Sequence, residues 1–185
     1  MIHKSKKKGD SFIFGLILRY LIILLLGLGG LWLIYAVLRP LTYYVVFGIS
    51  SLFTNVLGNP TDMFLLFDNF GVELVDACVA GAAFYLLLIL NLTTPMSADK
   101  RRKTLIFSIV ALFTINSLRI LFLIYLASLS LVFFNATHIF FWYVLSVVFV
   151  AGIWIWVVKR YSISQIPVYS DVKNLLRLRG LAKKR

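Results

Sequence analysis

The chain's only cysteine, Cys78, lies in "VDACVAGAAFYLLLIL" (75–90), where an acidic, polar-flanked segment turns into an unbroken apolar one. A thiolate is a nucleophile whose reactivity follows its surroundings. Asp76 is expected to cap the helix that begins here. That cap places Cys78 in the first turn, beside free backbone N–H groups and the positive end of the helix dipole. Gly81, Ala82 and Tyr85 follow at helical spacing on the same face, so small residues leave room beside the sulfur. Taken alone, a free cysteine in an apolar helix is commonly just a small hydrophobe.

A second residue with chemical meaning is Arg119, in "FTINSLRILFLIYLASL" (113–129). An arginine inside an apolar run is costly unless it faces a polar cavity, an anion or lipid headgroups, so function is its default reading. Asn116, three residues earlier, extends the polar stripe on that face. The competing roles for Arg119 are snorkelling to headgroups, pairing with Asp76 or Glu73, and gluing helices together. The third residue, His138, opens an apolar run in "NATHIFFWYV" (135–144), where a histidine is commonly interfacial. A thiol, a fixed cation and a titratable base are the parts of acyl transfer through a thioester. One cysteine excludes an internal disulfide, a CxxC pair and a thiolate metal cluster, and His3 lies far from His138. No metal and no cofactor is therefore expected.

The elements that must position these residues are membrane helices. With 61% hydrophobic and 14% charged residues in 185, the chain has too little polar surface for a soluble domain of its size. Its net charge of +12 sits in blocks: Lys4 to Lys8, Lys100 to Lys103, and eight basic residues from Lys159 to Arg185. Such juxtamembrane blocks are topology signals and contacts for anionic membrane lipids. They are not a nucleic-acid surface, which interleaves basic and aromatic residues. The basic start and the apolar run after it imitate a signal peptide, but the run is too long and no small-residue cleavage site follows, so it is read as a permanent span.

Four segments have the length of a transmembrane helix: about Tyr20 to Val37, Ala77 to Thr93, Thr104 to Leu129 and His138 to Val158. The stretch "LTYYVVFGISSLFTNVLG" (41–58) is more polar. A fifth crossing would put a basic block outside, so it is read as an interfacial or re-entrant helix on the outer side. With both termini cytoplasmic, 17 of the 19 Lys and Arg residues are then inside, and the exceptions are Arg39 and Arg119. Met63 to Phe67 and Val72 to Val75, separated by Asp68-Asn69-Phe70-Gly71, predict a small outer-side β-hairpin. The expected fold is thus an all-α polytopic membrane protein in one domain. A basic cytoplasmic N-terminus (1–19) precedes a membrane-embedded region (20–158), and a basic cytoplasmic tail (159–185) follows. In this topology Cys78, Arg119 and His138 all fall in the outer leaflet.

At these residues the chain resembles the exosortase and archaeosortase family of membrane transpeptidases. The matching stretches are "LGNP" (57–60), "ACVAG" (77–81), "NSLRI" (116–120) and His138, and the resemblance covers roughly residues 20 to 158. It departs from the family in the valine of "ACVAG", where serine or threonine is frequent, and in its short length. Some archaeal members use a second arginine in place of the histidine. The resemblance implies a cysteine protease or transpeptidase. Such an enzyme cuts secreted proteins near a C-terminal sorting signal at the outer membrane face and passes them to a lipid or other envelope acceptor. By position Cys78 would be the nucleophile, with Arg119 and His138 completing the site and Asn116 and Tyr85 behind them. Arg119 would favour the thiolate, hold the oxyanion or bind the substrate's carboxylate; the sequence leaves these open. A rival from another class is a small non-enzymatic membrane subunit or assembly factor, with Arg119 paired to an acid inside the bilayer. A transporter is disfavoured, because four spans without an internal repeat leave little room for alternating access.

Overall fold

The computed structural model describes residues 2–173, 175 and 176; side-chain surroundings are described from residue 13 onward, apart from those of Leu131, Phe133, Trp142 and Leu145. Five of the eight basic residues of the tail therefore lie outside the described residues, as do the side chains of Lys4 to Lys8. The chain is mostly helical, with one small sheet.

Helix α1 (Ile2–Gly27) ends in a glycine-rich turn, and α2 (Trp32–Ser50) follows. Gly29, Gly30 and Leu31 are consecutive left-handed residues, with φ of 71°, 67° and 64°. Two glycines make that turn accessible, since they carry no Cβ to clash. The expected single span from Tyr20 to Val37 is therefore two helices. Correspondingly, the first ten residues of the 41–58 stretch are no separate interfacial helix: α2 runs on through Pro40 to Ser50. Hydropathy alone averages over the glycines and gives the polar residues of α2 too much weight.

The hairpin forms where its turn chemistry predicted it. Strand β2 (Phe64–Leu66) pairs antiparallel with β3 (Gly71–Glu73), with Leu65 opposite Val72. A strand not anticipated, β1 (Leu57–Asn59), adds to the other edge with Gly58 opposite Leu65. Asn59 closes the turn that follows, accepting from the Thr61 N–H at 3.0 Å and donating to Asp62 at 2.7 Å. Leu65 is fully buried and Leu66 faces out, the alternation of a one-sided sheet.

Helix α3 (Asp76–Val79) is a single turn, separated from α4 (Gly81–Thr93) by Ala80 in the left-handed region at φ 60°. Helix α5 (Ala98–Leu129) rises from the loop at Pro95. Ser130 caps α6 (Leu131–Phe140) by accepting from the Val132 N–H, and a π-helical segment (Phe141–Leu145) joins α6 to α7 (Ser146–Arg160).

Contacts give the directions of these helices. Going back along α4 and α3, the partners come in chain order: Arg19 at Leu92, Ile23 at Tyr85, Tyr35 at Gly81, Arg39 at Asp76. Helices α1 and α2 therefore advance together, antiparallel to α3 and α4. Along α5 the order reverses: Lys100 meets Tyr161, Phe107 stacks on Trp156, Arg119 meets Ser146 and Phe122 meets Phe141. The result is four antiparallel helical passes, with the sheet at one end and the Lys100 to Lys103 block at the other.

Two apolar clusters fill the interior. Ile34, Leu38, Phe84, Leu87, Leu112 and Ile153 are among the residues of the first, between the passes. Tyr43, Val46, Leu65, Phe67, Ile120 and Ile124 lie in the second, under the sheet, and Cys78 packs against it. Many large apolar side chains remain exposed on the outside, including Phe14, Leu24, Trp32, Val110, Leu118 and Val147. A water-soluble surface does not carry so many. Among the described residues, α2 and α5 are each long and apolar enough to cross a membrane.

Candidate functional site

The site is built around the break at Ala80. Ending α3 after one turn leaves the carbonyls of Ala77, Cys78 and Val79 without their usual helical partners, and buried carbonyls need donors. Two side chains of α5 supply them. Asn116 donates from Nδ2 to the carbonyl oxygens of Cys78 at 2.9 Å and Val79 at 3.4 Å. Arg119 donates from Nη2 to Cys78 at 3.2 Å and Ala77 at 3.3 Å. Their spacing of three residues puts both on one face of α5.

The other arm of the guanidinium reaches the opposite pass: Nη1 donates to Ser146 Oγ at 3.2 Å, and Ser146 donates to the carbonyl of Phe141 at 3.0 Å. That carbonyl lies in the π-helical segment, where helical hydrogen bonding is altered. Ser146 was not singled out from sequence. Its only signal there is that it is a hydroxyl inside "FFWYVLSVVFV" (140–150). Arg119 Nε is buried without a partner among the described residues. A cavity of about 10 Å³, room for at most one water, lies beside it between Ala83, Leu112, Asn116, Ser146 and Phe149.

Cys78 itself is half-buried. Its N–H is not free, as expected for a helix start, but donates to the Val75 carbonyl at 2.8 Å. Asp76 is no cap either: the residue before α3 is Val75, no side chain caps the helix, and the Asp76 carboxylate binds Arg39 Nε. This occupies one of the two acids that the sequence offered to Arg119. Tyr85 points elsewhere, its hydroxyl donating to the Ile23 carbonyl at 2.8 Å and tying α4 to α1. His138 does not open a helix. It sits eight residues inside the helix that begins at Leu131, stacked on Phe134 with ring centroids 5.4 Å apart. It is also eight residues before Ser146, a little over two turns along the helix axis. No hydrogen bond joins it to Cys78 or Arg119 among the described residues. The structure thus brings together Cys78, Asn116 and Arg119 and adds Ser146, while the Tyr85 hydroxyl is engaged with α1 and His138 makes no hydrogen bond to the group among the described residues.

A wider space, about 410 Å³, opens at the sheet end between Phe53, Phe67, Phe70, Ile124, Tyr125 and Asp68. Phe67, Phe70, Leu121 and Ile124 line this groove and also belong to the cluster against which Cys78 packs. The groove and the thiol thus border the same apolar cluster.

Among the described residues, no group of three or more His, Cys, Asp and Glu side chains could hold a metal ion. Comparison with family models, curated proteins and solved structures finds no match for this chain. Fold and site define a class, a mostly helical protein with two helices able to cross a membrane, a small three-stranded sheet, and an arginine and an asparagine clamped onto a broken helix.

Proposed function

We propose that the chain is a membrane cysteine transpeptidase of the exosortase and archaeosortase type. It cleaves C-terminal sorting signals of secreted proteins and transfers the new C-terminus to a lipid or other envelope acceptor. The observation that carries this reading is the convergence of Arg119 and Asn116 on the backbone of Cys78. A long polar side chain in an apolar helix is costly, and two of them spent on fixing one thiol-bearing turn point to a need for that turn's geometry.

The four helical passes are the membrane crossings, and the basic block at Lys100 to Lys103 marks the cytoplasmic end. The sheet and the 410 Å³ groove then face outward, where a secreted substrate arrives. Cys78, as thiolate, attacks the scissile carbonyl and forms a thioester as the C–N bond breaks. The leaving amine takes a proton. The acceptor then attacks the thioester carbonyl, loses its own proton and releases the thiolate. Arg119 supplies the fixed positive charge beside this chemistry. Proton transfer falls to His138, the titratable base among the three residues.

One observation favours a non-enzymatic membrane subunit: Arg119 directs its hydrogen bonds to two main-chain carbonyls and one serine, which is what a structural clamp does. The deciding experiment is processing of a co-expressed, C-terminally anchored substrate by wild type, Cys78→Ala and Arg119→Ala at equal membrane levels. The enzyme reading expects loss of cleavage in both variants and a Cys78-linked adduct in the wild type. Unchanged processing by Cys78→Ala would leave the subunit reading.

A further inference from the structure

Arg39 has no role in the chemistry above, yet it lies in the middle of α2, a helix apolar enough to cross a membrane. Its partner is Asp76, two residues before Cys78. The pair is not buried: the two side chains are 46% and 44% exposed. In hydrocarbon such exposure leaves charge facing lipid tails, which offer neither donors nor acceptors.

Only Nε of Arg39 is engaged with Asp76; its two terminal nitrogens and the second oxygen of Asp76 have no partner among the described residues. The guanidinium also lies over the ring of Tyr35, 5.6 Å from its centroid, and Tyr35 packs against Gly81 where α4 begins. This line of contacts leads from α2 to the turn that carries the thiol. Beside it is a cleft of about 180 Å³ between Trp32, Ala36, Arg39, Asp76 and the turn at Gly29 and Gly30. Neither glycine has any atom within 4 Å of where a Cβ would stand, so the backbone there is open to close approach.

We infer that this cleft is a lateral docking site for an unwound main-chain stretch of a membrane-inserted peptide. Such a stretch presents unpaired N–H and C=O groups together, and Asp76 and Arg39 offer one acceptor and several donors side by side. A regular transmembrane helix has no such groups to give, and a lipid tail has none at all. A peptide must be unwound where its bond is cut, so the inference deepens the transpeptidase reading and rests on it for the peptide's identity as substrate. Arg39 would be a binding residue that positions the chain entering the site.

The test reads binding rather than cleavage, so the two readings can fail separately. The full chain, in phosphatidylcholine nanodiscs, carries a photoreactive benzoylphenylalanine in place of Trp32. It is offered one of two synthetic apolar peptides of about 25 residues, one an unbroken helix and one broken at its centre by Gly-Asn-Pro-Gly. The broken peptide should be captured about tenfold more, the scale of one charge-assisted hydrogen bond. Arg39→Gln should abolish that preference. So should Ala36→Trp, which fills the cleft from an exposed helix face, leaves the ion pair in place and keeps the thermal midpoint unchanged. Capture that persists in Cys78→Ala supports the cleft whether or not catalysis does. Equal capture of both peptides overturns the inference, as does a preference that survives Ala36→Trp. Displacement of the peptide by phosphatidylglycerol overturns it too, assigning the pair to a lipid headgroup, and so does crosslinking to a second copy of the chain.

Discussion

Asn116 Nδ2 lies 2.9 Å from the carbonyl oxygen of Cys78, so the side-chain amide of α5 takes the place of the backbone N–H that the break at Ala80 removes from α3. An acceptor at this position would face another acceptor. Asn116→Asp is therefore expected to be worse than Asn116→Ala. The alanine variant leaves Arg119 as the remaining donor and costs about 1–3 kcal/mol. Because Cys78 is the only thiol in the chain, its labelling rate in membranes reports opening of this turn. Labelling should rise in both variants, and most in Asn116→Asp.

Arg119→Lys keeps a positive charge but gives up the planar fork. A single ammonium cannot reach Ser146 on one side and the Ala77 and Cys78 carbonyls on the other, which Arg119 spans with two nitrogens. Processing of the anchored substrate should fall at least tenfold in Arg119→Lys, and should fall less in His138→Gln, since His138 makes no hydrogen bond to Cys78 or Arg119 among the described residues. Equal losses would mean that His138 enters the site during turnover.

How much of this was legible follows from which interactions are local. The hairpin was legible because Asp68-Asn69-Phe70-Gly71 encodes its own turn, and its strands alternate within a few residues. Strand β1 was not, because three residues acquire strand character only beside β2. The stripe of Asn116 and Arg119 could be read from helical spacing. Its targets could not, since nothing about an alanine announces the left-handed conformation of Ala80. His138 was misplaced for a related reason: the helix start was set at the first polar residue before the aromatic run, whereas Ser130 caps it eight residues earlier. Apolar residues 131–134 continue a helix as readily as they would a loop at the membrane surface.

Ala80→Gly tests whether the break is held against local preference. A left-handed alanine costs about 1 kcal/mol relative to glycine, and Ala80 also borders the small cavity near Arg119. Relief of strain should offset the lost methyl contacts, so the thermal midpoint in detergent should stay level or rise. A fall of several degrees would show that the methyl group, rather than the backbone angle, matters at this position.

At the opposite end of the bundle the C-terminal segment is fastened by a buried ion pair. Arg19 Nη2 lies 3.2 Å from Asp171 Oδ1, and the two side chains are 14% and 2% exposed. Arg19 also donates to the Leu92 carbonyl, while Arg101 donates to the carbonyls of Asn91, Leu92 and Thr94. The Val168 N–H joins this network at Thr93. One carboxylate thus answers two arginines in a small volume, and removing it leaves both cations uncompensated. Asp171→Asn keeps the shape but loses the charge, so it should destabilise the chain by about 3–5 kcal/mol, the usual loss when one partner of a buried pair goes. Limited proteolysis should then cut between 161 and 171 well before the helical passes unfold. The double variant Arg19→Gln with Asp171→Asn removes one charge of each sign, so it should recover part of the lost stability. Without that recovery, Asp171 would be held chiefly by its packing and not by its pairing with Arg19.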